Sequence, residues 1–413
     1  MNNRVVVTGL GCATPVGIGH EEFWKNILEG KNGISFITGF DTTQYACKIA
    51  GEIKDFDMDR FLDKKEYRRM DKYTQFAVAA GKLAIEDAGI DVEKVDSDSF
   101  GVILGSGIGG MKTLEDQHTI LMERGPRRIS PNFIPMMISN IATGHLSILF
   151  NAMGPSMTTV TACASSTNAV GEAFKCIQRG DATMMITGGS EASITPLAIA
   201  GFASMKALST RNDAPEKASR PFDKDRDGFV MGEGGGMLIL EELEHAKARG
   251  AKIYAEMVGY GMAADAYHVT APHPEGKGAQ RSMERSIADA GAKPEDVDYI
   301  NAHGTSTYFN DMLETKAIKA TFGDHAYNLS ISSTKSMTGH LLGGTGAVEA
   351  IATVLAIYND EVPPTMNLDN PDVDLDLDYV PNKPKKRKVN YAISNSLGFG
   401  GHNSTIAFKK YVK

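Results

Sequence analysis

The chain has 413 residues, 42% of them hydrophobic and 23% charged, with a formal net charge of −8. These are the proportions of an ordinary globular protein; the acidic balance argues against general nucleic-acid binding, and no apolar stretch is long enough to span a bilayer. The length fits two or three domains of about 150 residues, or one large two-lobed unit. Four cysteines, at 12, 47, 163 and 176, form no CxxC pair and no disulfide framework. They point to a reducing cytoplasm.

In chain order, Arg4-Val5-Val6-Val7-Thr8-Gly9 reads as an opening strand rather than a cleavable leader. Lys64-Lys65-Glu66-Tyr67-Arg68-Arg69 reads as helical, with Lys65, Arg68 and Arg69 on one face at i, i+3, i+4 spacing. Phe100–Gly105 is a predicted strand. The turn after it, Gly105-Ser106-Gly107-Ile108-Gly109-Gly110, matches GxGxxG, but a dinucleotide site needs a short βαβ unit and an acidic residue about 20 positions on. A long polar helix and Arg124-Gly125-Pro126-Arg127-Arg128 follow instead, so the turn reads as a close approach of two backbones. Met157–Ala162 is the next strand, and a helix runs from about Cys163 to Gln178. Val170, Ala173, Phe174 and Ile177 recur on it at the helical period, and Gly180 stops it. Ala182–Thr187 is a buried strand closed by Gly188-Gly189, and Gly236–Glu241 is another. The alternation predicts an α/β fold with a mainly parallel core.

Asp223-Lys224-Asp225-Arg226-Asp227-Gly228 imitates the start of a calcium loop, yet the twelfth position, where a bidentate Glu belongs, is Gly234. Composition breaks at 242–252, and a strand restarts at Ile253–Gly259. The strand, turn and small-residue helix of 157–178 recur at 329–357. This predicts two related halves, 1–250 and 251–413, with a site at their seam. Asp369–Asp378 reads as a surface connection. The basic run Pro384–Val389 reads as a solvated loop before the strand Val389–Ser394, not as a nuclear-import signal.

Thr161-Ala162-Cys163-Ala164-Ser165-Ser166 places a thiol where a buried strand becomes a helix. The helix dipole there favours thiolate, and free backbone N–H groups can hold an oxyanion. His303, in Asn301-Ala302-His303-Gly304-Thr305-Ser306-Thr307, follows the predicted strand Val297–Ile300. His340, in Lys335-Ser336-Met337-Thr338-Gly339-His340, follows Leu329–Ser333. Two His and a Lys at such strand exits, with a Cys at a third, mark a site; none has zinc-ligand spacing. Gly398-Phe399-Gly400-Gly401 flanks one aromatic with glycines and can bend close to a ligand.

Taken in order, TAC-ASS, NAHGTST, SSTKSMTGH and GFGG-HN resemble the β-ketoacyl-[acyl-carrier-protein] synthases of the condensing-enzyme, thiolase-like superfamily. RPFDKDRDGFVMGEG at 220–234 matches that family too, which removes the calcium idea. The resemblance runs from Val5 to Phe408, and Ile108 in its turn is similar to the type II, elongating form. It implies a thiolase-like five-layer αβαβα fold, with the nucleophilic Cys163 in the first half and both histidines in the second. The implied reaction is decarboxylative Claisen condensation of an acyl thioester with malonyl carrier protein. The implied oxyanion donors are the N–H groups of Cys163 and Phe399, with Phe399 a gate; His303 and His340 assist decarboxylation, tuned by Lys335. Ile108, Phe202, Thr270, Thr305 and Thr307 are the implied substrate contacts, and Asp311 and Glu349 a supporting network. Lys65, Arg68, Arg69, Arg127, Arg128 and Lys206 are the expected docking patch for an acidic acyl carrier protein. No cofactor and no metal is implied, and a homodimer is expected. The rival readings are a type I or polyketide ketosynthase and a non-catalytic chain-length partner, which Cys163 argues against. Tyr308-Phe309 departs from the Pro or small residue usual after HGTST, and Leu397 stands where some relatives have Phe.

Overall fold

Ten consecutive buried residues, Val5–Thr14, form the first strand, β1; such an uninterrupted run suits a strand covered on both faces. The computed structural model describes residues 2–412. Four more strands complete the first half: β2 (Phe100–Gly105), β3 (Ser156–Thr159), β4 (Met184–Glu191) and β5 (Gly234–Glu242). Their spatial order is β3-β2-β4-β5-β1, with two parallel pairings followed by two antiparallel ones. The second half comprises β6 (Ala255–Ala264), β7 (Tyr299–Asn301), β8 (Ser330–Ser332), β9 (Tyr391–Gly398) and β10 (His402–Lys409). It repeats the plan as β8-β7-β9-β10-β6, with the same sequence of parallel and antiparallel pairs. Val5–Val7 of β1 also pair with Ala255–Met257 of β6, so the two halves join through their opening strands.

Helices α1 (Lys72–Asp87) and α2 (Ile141–Leu149) cover the outer face of the first sheet. Helix α3 (Ser165–Arg179) contributes to the core cluster centred on β1. Helices α4 (Lys277–Asp289) and α5 (Tyr308–Phe322) cover the second sheet. Helix α6 (Thr345–Asn359) joins α3 in the middle, between the two sheets. This is the five-layer αβαβα thiolase-like arrangement. Every residue of α6 from Thr345 to Ile357 is buried, which explains a sequence of small and apolar residues rather than an amphipathic stripe. Both central helices are preceded by a short 3₁₀ turn, Ala162–Ala164 before α3 and Leu342–Gly344 before α6. The first residue of each turn has positive φ, +50° at Ala162 and +45° at Leu342.

Several elements differ from the expectation. The strand predicted to end before Gly188-Gly189 runs through them to Glu191. Gly188 has φ +143°, and a Cβ on it would lie 2.1 Å from the Gly236 carbonyl oxygen, so close strand packing, not a turn, requires glycine. The strand expected over 157–162 is only Ser156–Thr159, and it is a partly exposed edge rather than buried. The strand expected from 253 begins at Ala255, and that expected from 389 at Tyr391. Asp223 of the calcium-like segment pairs with Arg220 at 3.0 Å and accepts the Asn370 N–H at 2.8 Å. In the basic run, Lys385-Lys386 pairs with Glu361-Val362 and Lys385 meets Asp378 at 2.6 Å. No helix among the described residues is long and apolar enough to cross a membrane.

The two central helices meet at Gly346, where a Cβ would lie 1.9 Å from Thr167 Oγ1. Thr167 in turn shares a 2.6 Å hydrogen bond with Ser396. Gly346→Ala is therefore expected to cost about 1–3 kcal/mol through overpacking, read as a lower urea midpoint; an unchanged midpoint would show that the helices separate freely.

Candidate active site

A cavity of about 660 Å³ opens where the two halves meet, with Cys163, His303, His340 and Phe399 in its wall. Cys163 sits in the 3₁₀ turn before α3 rather than in the helix itself. Ser165 closes this turn: its hydroxyl accepts the Thr161 N–H at 2.9 Å and donates to the Ala162 carbonyl at 2.7 Å. Gly398 presses on it from the second half, since a Cβ there would be 3.2 Å from Cys163 N. The Lys335 charge and, after it, the backbone N–H groups of Phe399 and Cys163 favour thiolate. Burial is the larger effect and pushes the thiol up to about 12. Burial at this half-buried thiol therefore opposes the helix-terminus effect expected from the sequence.

The histidines arrive on loops fixed from outside. Both backbone N–H groups of His303 and Gly304 donate to the Glu314 carboxylate on α5, each at 2.8 Å. His340 donates its N–H to Val230 O at 2.8 Å and accepts from Gly232 N at 2.9 Å, so the 220–234 segment pins it. The two rings are nearly perpendicular, with centroids 5.3 Å apart. The Cys163 sulfur and a ring nitrogen of each histidine all lie within 4.8 Å of one another. Burial, reinforced by the Lys335 charge, holds both imidazoles well below their ordinary value. They are neutral at physiological pH, and Nδ1 of each has no hydrogen-bond partner.

Lys335 is 1% exposed and ion-paired with Glu349 of α6. Its ammonium also donates to the His303 carbonyl at 2.5 Å. Burial raises the Glu349 carboxyl and Lys335 opposes that rise. Asp311 lies apart from this group. It accepts the Phe222 N–H at 2.9 Å and faces Arg226 at 3.7 Å, and so braces the 220–234 segment.

Two buried carboxylates were not foreseen. Glu314 lies three residues after Asp311 on α5, on the same helical side, and that spacing was an available signal. Glu191 ends β4 with its carboxylate inside the GxGxxG turn. It accepts backbone N–H bonds from Gly107 at 2.7 Å and from Ile108 and Gly109 at 3.2 Å. A fourth N–H comes from Gly343 at 3.1 Å, and Ser106 adds its hydroxyl at 3.2 Å. The turn that resembles an anion nest is one, but the protein's own carboxylate fills it. Burial pushes Glu191 up to about 7 against these donors.

The remaining expected substrate contacts, Ile108, Phe202, Thr270, Thr305 and Thr307, all line the cavity. Thr305 and Thr307 share a 2.9 Å hydrogen bond. Tyr308 and Phe309 also line it, though more than half exposed. Lys65, Arg68, Arg69, Arg127, Arg128 and Lys206 are exposed, and of these only Lys206 reaches the cavity. Cys163, His303 and His340 are also the group among the described residues whose donor atoms could converge on a metal ion.

A thiol and two neutral imidazoles at the seam of a duplicated α/β fold define a condensing enzyme of the thiolase-like class. Residues 2–246 match the β-ketoacyl synthase N-terminal domain and 254–369 the C-terminal domain, and the chain belongs to the β-ketoacyl synthase family. It is 60% identical over 408 residues to 3-oxoacyl-[acyl-carrier-protein] synthase 2 of Synechocystis sp., covering 99% of this chain and 98% of that one. It is 56% identical over 410 residues to the protein of the same name from Staphylococcus aureus, with 99% of each covered. Among solved structures, a type II polyketide ketosynthase in complex with its acyl carrier protein superposes with a TM-score of 0.93 at 36% identity, over 100% of both chains. A β-ketoacyl synthase from Burkholderia phymatum gives a TM-score of 0.93 at 34% identity, over 99% of this chain and 100% of that one.

Lys335→Met leaves the Glu349 carboxylate buried and unpaired, an expected loss of about 3–5 kcal/mol in a denaturant titration. Adding Glu349→Gln should recover most of it; a double variant as unstable as the single one would show that packing, not charge, is at stake. The depressed histidines set a pH window. The unfolded chain protonates its histidines below about 6.5 while the folded one does not. Their contribution therefore leaves stability full above that value and lowers it as pH falls. Replacing both by Gln should flatten the stability profile below about pH 6.5.

Proposed function

We propose that this chain is an elongating 3-oxoacyl-[acyl-carrier-protein] synthase. The observation that carries the reading is the convergence of the Cys163 sulfur with two buried, neutral imidazoles in one cavity. Cys163 attacks the thioester carbonyl of an acyl carrier. The carrier thiol leaves with the proton that Cys163 gives up, and the acyl group stays on the sulfur. The N–H groups of Cys163 and Phe399 hold the oxyanion. Malonyl carrier protein then enters, and its terminal C–C bond breaks to release CO2. The electron pair passes to an enolate whose oxygen takes hydrogen bonds from His303 and His340. Neutral rings suit this role, because charge appears on the oxygen only as the bond breaks. The carbanion attacks the acyl-Cys163 carbonyl, a C–C bond forms, and the thiolate leaves. Lys335 and Glu349 position and tune the histidines; Thr270, Thr305 and Thr307 hold the pantetheine arm; Ile108 and Phe202 border the acyl side; Phe399 moves as a gate. The machinery divides between 1–250 and 251–413. High identity to proteins named 3-oxoacyl-[acyl-carrier-protein] synthase 2 favours fatty acyl over polyketide chains, and Cys163 argues against a non-catalytic partner.

Partners follow from the surface. The basic residues Lys65, Arg68, Arg69, Arg127, Arg128 and Lys206 stand exposed on an otherwise acidic protein, which suits a small acidic carrier. A second copy of the chain is the expected partner of the edge strand β3. Its outer edge has no partner strand among the described residues, and Ile148, Met153 and Val160, near it in sequence, are exposed. Four free thiols support a cytoplasmic location.

Cys163→Ala is expected to abolish condensation without unfolding the protein, and mass spectrometry should find the acyl group on Cys163; label on Cys12, Cys47 or Cys176 would sink the assignment. His303→Ala or His340→Ala should slow malonyl decarboxylation by about 10² to 10³ and acyl transfer much less. Equal loss of both half-reactions would move the histidines to thiol activation. Reversing Lys65 and Arg68 to Glu should raise KM for carrier-linked substrates and blunt its salt dependence, leaving a free pantetheine thioester unaffected. Equal effects on both substrates would place docking elsewhere.

A further inference from the structure

Glu191 touches no reacting atom of the proposed mechanism, yet few carboxylates in the chain are so completely held. Its side chain is fully buried, and five donors converge on it from two separate turns. Oε2 bridges Gly107 N at 2.7 Å and Gly343 N at 3.1 Å, one from each half of the molecule. Oε1 takes Ile108 N, Gly109 N and the Ser106 hydroxyl, each at 3.2 Å. There is no room to spare: a Cβ at Gly107 or at Gly343 would lie 2.9 or 2.7 Å from Oε2. The two bridged turns carry Ile108 and Leu342, both of which line the cavity beside Cys163.

We infer that Glu191 is a positioning residue that fixes the distance between the Ile108 and Leu342 turns and thereby limits the length of acyl chain that Cys163 accepts. The inference rests on the proposed function, since it concerns the acyl side of that same cavity. The side chain is suited to the task because both of its oxygens accept, Oε2 from both turns at once, and such bonds are strongest to the ionised form. An amide of the same shape keeps one acceptor oxygen and turns an NH2 group toward N–H donors, so at least one arm of the tie is lost. With the tie loosened, the Ile108 turn yields to a longer chain.

The test is the rate of acyl transfer to Cys163 from hexanoyl, decanoyl and hexadecanoyl carriers, followed by mass spectrometry for wild type, Glu191→Gln and Ser106→Ala. Transfer by the wild type reads the proposed function by itself. For Glu191→Gln the hexadecanoyl-to-hexanoyl rate ratio is expected to rise about tenfold, the scale of one charge-assisted hydrogen bond. Ser106→Ala, which removes only the hydroxyl donor, should raise the ratio less and in the same direction. A merely structural role would lower the melting temperature and slow all three carriers alike. An unchanged ratio, a uniform loss or a shift toward short chains in Glu191→Gln overturns the inference. If that variant does not fold, Ser106→Ala decides: a ratio equal to wild type overturns it.

Discussion

The ammonium of Lys335 lies in the interior on a side chain 1% exposed, and much of the site's order follows from keeping it there. An isolated charge at that depth would be very costly, so its surroundings are fixed by what must answer it. Glu349 answers from the central helix α6, and the His303 carbonyl answers from the loop after β7. One charge thus ties together three segments that the chain order keeps apart. The same charge adds to burial in holding both imidazoles neutral and partly offsets the upward push of burial on the Cys163 thiol. One interaction thus fixes positions and contributes, after burial, to protonation state.

Duplication explains where the other parts lie. Each half sends a 3₁₀ turn with a positive-φ first residue into a buried central helix. In the first half the middle residue of that turn is Cys163; in the second it is Gly343, whose N–H holds Glu191. The same backbone device therefore presents a nucleophile on one side and a structural donor on the other. The cavity between them is shared by both halves, and neither turn is complete without a contact from the opposite side: Gly398 against Cys163, Glu191 against Gly343.

Much of this was legible from local pattern. The Gly-, Ser- and Thr-rich exits around Cys163, His303 and His340 mark a site by their combination, since any one of them alone is more often structural. The repeated strand, turn and helix at 157–178 and 329–357 announced the duplication. What escaped depends on contacts between distant segments. Gly188-Gly189 looks like a turn until Gly236 is placed against it. Glu191 and Glu314 look like ordinary acids until the N–H groups they accept are brought over from elsewhere. The helix dipole at Cys163 is a local property, whereas the desolvation that opposes it is not. The edge character of β3 is likewise set by which strands are missing beside it, not by its own residues.

The central position of β1 has a consequence for how the chain is made. Its ten buried residues pair with Gly235–Glu242 and with Ala255–Met257, so both flanking strands emerge from the ribosome more than two hundred residues later. At about 5–20 residues per second, that is a wait of roughly 12–50 s. Throughout it the nascent chain carries a highly apolar strand paired only at its far end, where Ala13 and Thr14 meet Ile18 and Gly17. The helix His20–Leu28, which follows β1 directly, and helix α1 both pack on β1 in the finished fold and are synthesised well before β5; they are the elements able to shield that strand early. The duplicated architecture that builds a shared active site thereby makes co-translational folding of this protein a late event, closed only when the second half begins.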